Sequence, residues 1–456
     1  MKEIYTKESI RLLNNLLKNN NITVAKILDQ SFNRIKKYGK ITNSWIEVWN
    51  KDSYDIAKKL DKQKNNKNTN ILFGIPIGLK DLINYKDKNT SQGIKNYKCF
   101  SNEHAEIVKK ILDLEMIPIG KQNLVEIAFG ITGHNPSLGN IKNPVDIRYI
   151  PGGSSSGSVV STVTGMTPIS LGTDTGGSVR IPSAMCGAVG FKPSFGKLSL
   201  IGVKTLSESL DHLGIITNNV DDNKIFFEKI LELEKNNLSF PKKLKILIPI
   251  NKRFKEITSE CVKDNFNNFV NILCGADIDI EYLDMPWLDQ GRKITLSILL
   301  AEAYNNHKEK YEEKKVSKYI LKRLKNGKNI SINDLKNAKM KKKIFTKKME
   351  SILSEFDAII SPTIPIQTPT IDESDPTNTK NKNNIIAEFT SIFNLTGQPS
   401  ITIPMGKDNN SLPMGVMISG RKNSDIKILN IAKFFEKLIT DNEKKNLIDI
   451  FLENQH

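Results

Sequence analysis

Pro151-Gly152-Gly153-Ser154-Ser155-Ser156-Gly157-Ser158 and, a little further on, Gly172-Thr173-Asp174-Thr175-Gly176-Gly177-Ser178-Val179-Arg180 are the most distinctive segments of this chain. Both lie in a region, 129–198, that is rich in Gly, Ser, Thr and Pro and poor in charge. Glycine lacks the Cβ barrier, so the backbone turns sharply and aims its N–H groups at a ligand. A serine closing such a turn is a nucleophile where a base stands beside it, and the same N–H groups stabilise the oxyanion of acyl transfer. Several readings compete. A phosphate loop would end in Gly-Lys-Ser/Thr, which is missing, and a dinucleotide fingerprint would space its glycines differently. Gly153-Ser-Ser-Ser-Gly157 fits the G-x-S-x-G nucleophile elbow, but that motif needs a strand directly before it and a later acid and histidine. Pro151 argues against the strand. His212, His307 and His456 follow, and His212 adjoins Asp211, an awkward pair for a triad. The last reading is tight turns with no chemistry.

A third stretch, Gly74-Ile-Pro-Ile-Gly-Leu-Lys-Asp-Leu82, sets Lys80 at the end of an apolar run, 71–77, suited to a buried strand. A lysine there is ordinarily a surface charge. If buried, its charged form is disfavoured and its pKa falls. It then serves as a general base near neutral pH without histidine.

These stretches, with Gly120-Lys-Gln-Asn123, Cys186-Gly-Ala-Val-Gly-Phe-Lys-Pro193, Ser209-Leu-Asp-His-Leu-Gly214, Ser361-Pro-Thr363 and Phe393-Asn-Leu-Thr-Gly-Gln-Pro399, resemble the amidase signature family, motif by motif and in order along nearly the whole chain. The resemblance implies a Ser–cis-Ser–Lys triad with Lys80 as base, Ser154 as bridge behind a cis Gly153–Ser154 peptide, and Ser178 as nucleophile. It implies an oxyanion hole from the N–H groups of Thr175, Gly176, Gly177 and Ser178, and neither cofactor nor metal. The family more often has glycine where Ser156 stands. The implied fold is one large α/β/α domain, 1–456, around a twisted mixed sheet, with a helical segment 1–60, a catalytic core 71–220 and a basic helical segment 294–350. The implied reaction is hydrolysis of a small-molecule carboxamide through an acyl-enzyme, releasing ammonia or an amine; a homodimer is compatible with it. One branch of the family is the glutaminase-type A subunit of the glutamyl-tRNA(Gln)/aspartyl-tRNA(Asn) amidotransferase, which works with partner subunits and tRNA. Three departures favour a stand-alone amidase instead. Gly130-Ile-Thr-Gly-His134 stands where that branch has Gly-Ser-Ser-Thr-Glu. Lys342 stands where it has an arginine for the glutamine carboxylate. Ala387, beside Glu388, stands where it has an aspartate for the amino group. An inactive binding protein is a third reading, against which Lys80, Ser154 and Ser178 all speak.

Among neighbouring residues, Asp174 and Arg180 read as an internal ion pair shaping the loop. Cys186 reads as a buried thiol, Ser155, Ser156 and Ser158 as loop structure, and Lys121 as a rival base in a structural motif.

The periodicity by itself reaches only α/β. Leucines and isoleucines at helical spacing fill the first sixty residues. Lys64 to Asn70 is a polar loop. Glu106–Leu114 reads as a helix before a strand at Met116–Ile119. Segments 243–249, 359–365, 400–404 and 413–419 read as strands, and 426–439 as a closing amphipathic helix. Such alternation favours α/β architecture.

The 456 residues carry 67 Lys and Arg against 50 Asp and Glu, a formal net charge of +17. A basic surface attracts anions, RNA included. A chain-wide habit of Lys and Asn, as in Lys62-Gln-Lys-Asn-Asn-Lys-Asn68, gives the same sum, and both readings stay open. The lysines of 308–350 read as solvated helix faces. No run approaches the roughly 18 apolar residues of a spanning helix, and Met1-Lys-Glu-Ile-Tyr-Thr-Lys-Glu8 lacks the apolar core of a signal peptide. Cys99, Cys186, Cys261 and Cys274 form no close pair. A reducing cytoplasm is the expected setting.

Overall fold

The computed structural model describes residues 9–63, 70–233, 243–276, 278–378 and 381–439. Its frame is a sheet of β1 (Trp45–Val48), β2 (Pro76–Lys80), β3 (Ile117–Gln122), β4 (Ile169–Asp174), β5 (Val189–Lys192), β6 (His212–Thr217), β7 (Lys245–Ile250), β8 (Asp279–Asp284), β9 (Ala358–Pro362), β10 (Ser400–Lys407) and β11 (Pro413–Ser419). Their order in space is β1-β3-β2-β4-β6-β5-β10-β11-β9-β7-β8. β2 runs parallel to β3 and β4, and β7 parallel to β8 and β9; the other pairs are antiparallel, so the sheet is mixed. Every residue of β2, β3, β4, β5, β6, β9 and β11 is buried, so helices and loops cover both faces of the middle of the sheet. Strands buried on both faces read as unbroken apolar runs rather than alternations. The outermost strand, β8, is mostly exposed and carries Asp279, Glu281 and Asp284, charges that discourage pairing with another chain.

The register places the site. Ile77 pairs with Ile169 and Leu79 with Leu171, so two parallel strands end side by side, with Lys80 closing β2 and Asp174 closing β4. Open α/β sheets take their ligands beyond the carboxyl ends of such strands.

The α/β class and the strands and helices expected between 106 and 119, 243 and 249, and 358 and 439 are present at close to the expected bounds. The basic segment forms helices at Asp289–Glu312, Lys318–Lys328 and Ile332–Ile352. Two readings need correction. The apolar run at 71–77 is not all strand: residues 71–74 form a turn, with Gly74 at φ +71°, and the strand starts at Pro76. The helical segment 1–60 is interrupted by β1, whose residues pair antiparallel with β3. Of the polar loop Lys64–Asn70, all but Asn70 lies outside the described residues. Among the described residues no helix is long and apolar enough to cross a membrane.

Candidate active site

Lys80 is completely buried at the end of β2. Its Nζ lies 2.8 Å from Ser154 Oγ, 3.0 Å from Ser155 Oγ and 2.8 Å from Thr173 Oγ1. Among the described residues no carboxylate pairs with it directly. Burial lowers its pKa to about 7, against the opposing pull of Asp174 and Asp211. Ser154 and Ser155 stand just before the buried helix Ser156–Val163, and the Gly153–Ser154 peptide is cis. Ser155 Oγ also donates to the Thr173 carbonyl at 3.1 Å. Gly172 makes room for it: a Cβ there would sit 2.6 Å from Ser155 Oγ.

Ser178 lies on the turn between β4 and the helix Arg180–Cys186, and its carbonyl accepts from Ser155 N at 3.1 Å, tying the two glycine–serine loops together. The turn is organised by Asp174. Its carboxylate accepts from the N–H groups of Gly177 (2.9 Å) and Val179 (3.0 Å) and from Arg180 Nη2 (2.8 Å) and Nε (3.1 Å). Both members of the ion pair are fully buried, so it is internal to the loop, as expected. Burial pushes the Asp174 carboxyl up, but the Arg180 guanidinium outweighs it and holds the group well below the usual carboxylate range. Of the four N–H groups expected to face an oxyanion, that of Gly177 is therefore engaged with Asp174. Those of Thr175, Gly176 and Ser178 have no partner among the described residues. Gly177 has φ +124°, and a Cβ there would lie 2.2 Å from Thr390 Oγ1, so only glycine fits.

Ser178, Thr175 and Gly176 line a cleft of about 230 Å³, together with Gly130, Thr132 and Ala387. The Ser178 hydroxyl has no hydrogen-bond partner among the described residues. The structure thus joins Lys80 to Ser154 and brings the Ser154 and Ser178 loops into contact, without a bond between the two hydroxyls.

The competing residues fall elsewhere. Lys121 donates to the Ile83 carbonyl and to Thr90 Oγ1 (3.1 Å) and faces Asp81 at 3.7 Å, away from the cleft lining. Cys186 is buried, its thiol pushed well up by burial, and it donates to the Pro151 carbonyl. Ser156 and Ser158 bond the carbonyls of Gly152 and Leu171. His212 is held on β6, its Nδ1 2.7 Å from the Leu210 carbonyl and its ring edge-on to Phe195, with no bond to any of the serines. Burial keeps that imidazole far below its usual pKa. His212→Ala is accordingly expected to leave most of the turnover in an amide-hydrolysis assay; a loss matching that of Ser178→Ala would restore a histidine triad.

Sequence reading missed four parts of this arrangement. Ser155 and Thr173 complete the hydroxyl shell of Lys80. Asp211, pushed up to about 6 by burial, accepts from Thr175 Oγ1 at 2.7 Å. Asn394, on the helix Ser391–Thr396, bonds Arg180 Nη2 and the Asp174 carbonyl, while Thr390 Oγ1 bonds the Gly176 carbonyl. The motif Phe393–Pro399 was a visible signal for Asn394, but it carried no role. Arg292 and Arg323, which also line the cleft, had no signal at all.

A mixed α/β sheet with a buried amine set among hydroxyls, beside a glycine-rich turn that presents a serine to a cleft, defines the class of amide-cleaving and amide-transferring enzymes. The chain belongs to the amidase family, whose pattern, described as Amidase, matches residues 26–429. It is 29% identical to the A subunit of glutamyl-tRNA(Gln) amidotransferase from Bacillus pumilus, over 95% of this chain and 97% of that one. Its structure superposes on that of an amidase with a TM-score of 0.87 at 27% identity, covering 94% of this chain and 99% of the other. For the A subunit of glutamyl-tRNA(Gln) amidotransferase from Thermotoga maritima the TM-score is 0.74 at 26% identity, covering 91% and 94%.

Proposed function

We propose that the protein hydrolyses the C–N bond of a carboxamide, with Ser178 as nucleophile, Ser154 as relay and Lys80 as base. The observation that carries this reading is the Lys80–Ser154 contact of 2.8 Å in a buried site that lowers the lysine to about 7. A neutral amine has two N–H bonds and one lone pair. Ser155 and Thr173 accept the two N–H bonds, which turns the lone pair to the Ser154 O–H. Ser154, with its own proton leaning on the amine, takes the proton of Ser178 as Ser178 Oγ attacks the carbonyl carbon. The Ser154–Ser178 hydrogen bond forms when substrate enters, since catalytic hydrogen bonds are commonly loose in free enzymes. The N–H groups of Thr175, Gly176 and Ser178 receive the developing oxyanion. The proton returns through Ser154 to the leaving nitrogen, the C–N bond breaks, and ammonia or an amine departs. Water then repeats the sequence on the acyl-enzyme, giving the acid and regenerating Ser178. Because only the neutral amine accepts a proton, kcat/KM should rise with pH through about 7 and level off above it. A pH–rate profile flat from about 5.5 to about 9 would contradict the assignment.

The relatives among amidotransferase A subunits favour a second reading, in which this chain supplies ammonia to partner subunits acting on aminoacylated tRNA. Two positions weigh against it. Lys342 donates to the Ser209 carbonyl and lies over the Phe195 ring at 5.0 Å, and it does not line the cleft. Ala387 lines the cleft and has no carboxylate for an amino group. The purified chain alone should release ammonia from simple carboxamides. Inertness that is relieved only by partner subunits and aminoacylated tRNA would establish the second reading. The four cysteines, all free, fit a reducing, cytoplasmic setting.

A further inference from the structure

The cleft beside Ser178 contains charge that the proton relay does not use. Its lining includes two guanidinium groups, Arg292 on the helix Asp289–Glu312 and Arg323 on the helix Lys318–Lys328, and among the described residues no Asp or Glu. Arg323 is pinned: its guanidinium lies 4.3 Å over the Phe129 ring and its Nη1 donates to the Tyr319 hydroxyl at 3.2 Å. Its Nε is buried with no hydrogen-bond partner among the described residues. Arg292 has neither a hydrogen bond nor an ion pair among the described residues. The acid whose field reaches it, Glu388, does not line the cleft and already bonds Arg253 Nε at 2.8 Å. Burial brings Arg292 down to about 10, with Glu388 opposing and Arg323 reinforcing, so the group stays charged at neutral pH.

Two cations half withdrawn from water, without a counter-charge between them, are costly to keep. Guanidinium is also the group whose forked donors match a carboxylate. We propose that Arg292, backed by Arg323, receives a carboxylate at the far end of the substrate's acyl chain, so that the substrates are monoamides of short dicarboxylic acids. The cleft offers no acid to an ammonium group, so an amide acid without an α-amino group suits it better than glutamine does. This inference rests on the hydrolase reading above and names its substrate class.

The probes are glutaramate, its uncharged counterpart pentanamide, and glutamine, assayed for ammonia release. Wild-type kcat/KM for glutaramate should exceed that for pentanamide by about 100-fold, the scale of one desolvated charge pair, and should exceed that for glutamine. In R292Q the glutaramate-to-pentanamide ratio should collapse by about the same factor, and R292K should recover part of it. The ratio cancels any loss of folded protein, so a purely structural role for Arg292 would leave it unmoved. A wild-type ratio near one, a preference for glutamine, or an unchanged ratio in R292Q would overturn the inference while leaving amide hydrolysis intact. If no amide is turned over and a fluorophosphonate fails to label Ser178, the hydrolase reading falls instead. Calorimetric titration with glutarate, which needs no turnover, then decides the arginine question. Binding that is lost in R292Q upholds the carboxylate site; no binding, or equal binding by both proteins, refutes it.

Discussion

Ser178→Ala is expected to lower kcat for amide hydrolysis by at least about 10,000-fold and to leave thermal stability within about 1 kcal/mol of the wild type. The two halves of that expectation have separate causes. The Ser178 hydroxyl has no hydrogen-bond partner among the described residues, so removing it orphans nothing. The turn around it is held by other atoms: the Asp174 carboxylate on the Gly177 and Val179 N–H groups, Arg180 on Asp174, and Thr390 on the Gly176 carbonyl. The cleft, the free N–H groups and the Lys80–Ser154 contact should therefore survive, and only the acyl acceptor is lost. Initial rates of ammonia release, a thermal melt and fluorophosphonate labelling, each on wild type and variant, check it. Activity within tenfold of wild type would mean that another group carries the acyl chain, and Ser154 and Ser155 would be the next to test.

The contrast between Ser178 and the groups around it shows what the sequence could and could not reveal. Lys80, Ser154 and Ser178 each sit inside a local signature: an apolar run ending in a lysine, and two glycine-rich turns ending in serine. Local backbone demands write such signatures into consecutive residues. Thr173 meets Lys80 because Leu79 pairs with Leu171, which is a matter of strand register, and register is settled by the packing of the whole sheet; Ser155 joins them through its bonds to the Ser178 and Thr173 carbonyls. β1 was hidden for a similar reason. Trp45–Val48 is only four residues long and directly follows a helical stretch; its Trp, Ile and Val favour a strand, and Ile117–Gln122 offers it an edge to pair with. Arg292 and Arg323 come from helices more distant still in sequence, and no local motif around either one marks it as part of a site. The mixed sheet was expected from motif resemblance, whereas apolar periodicity reached only the α/β class. Seven of the strands are buried on both faces, and such strands lack the alternation that would have revealed their pairing.

Lys80→Met separates the two things that burying this amine does. The variant keeps the length and most of the volume of the side chain but has no basic nitrogen, so kcat should fall by about 10,000-fold, the upper range for loss of a general base. Its stability should differ from wild type in a pH-dependent way whose sign follows from the shift. The Lys80 amine titrates near 10.5 when exposed and at about 7 in the fold. Between those values the unfolded chain holds a proton that the folded chain has released. Raising the pH through that window therefore stabilises the wild type, and lowering it toward 7 removes that stabilisation. Lys80→Met has no such group. From about pH 8 to about 9.5 the difference in unfolding free energy should shift toward the wild type by about 1.4 kcal/mol per pH unit, and it should flatten well below about pH 7. Asp211, at about 6, is ionised throughout the upper window, so its coupling to the lysine does not change the slope there. Urea unfolding of both proteins at several pH values measures this without any substrate. Parallel stability curves would mean that the amine is charged inside the fold. A charged amine has no lone pair for Ser154, and the relay from Ser178 would then have no terminus.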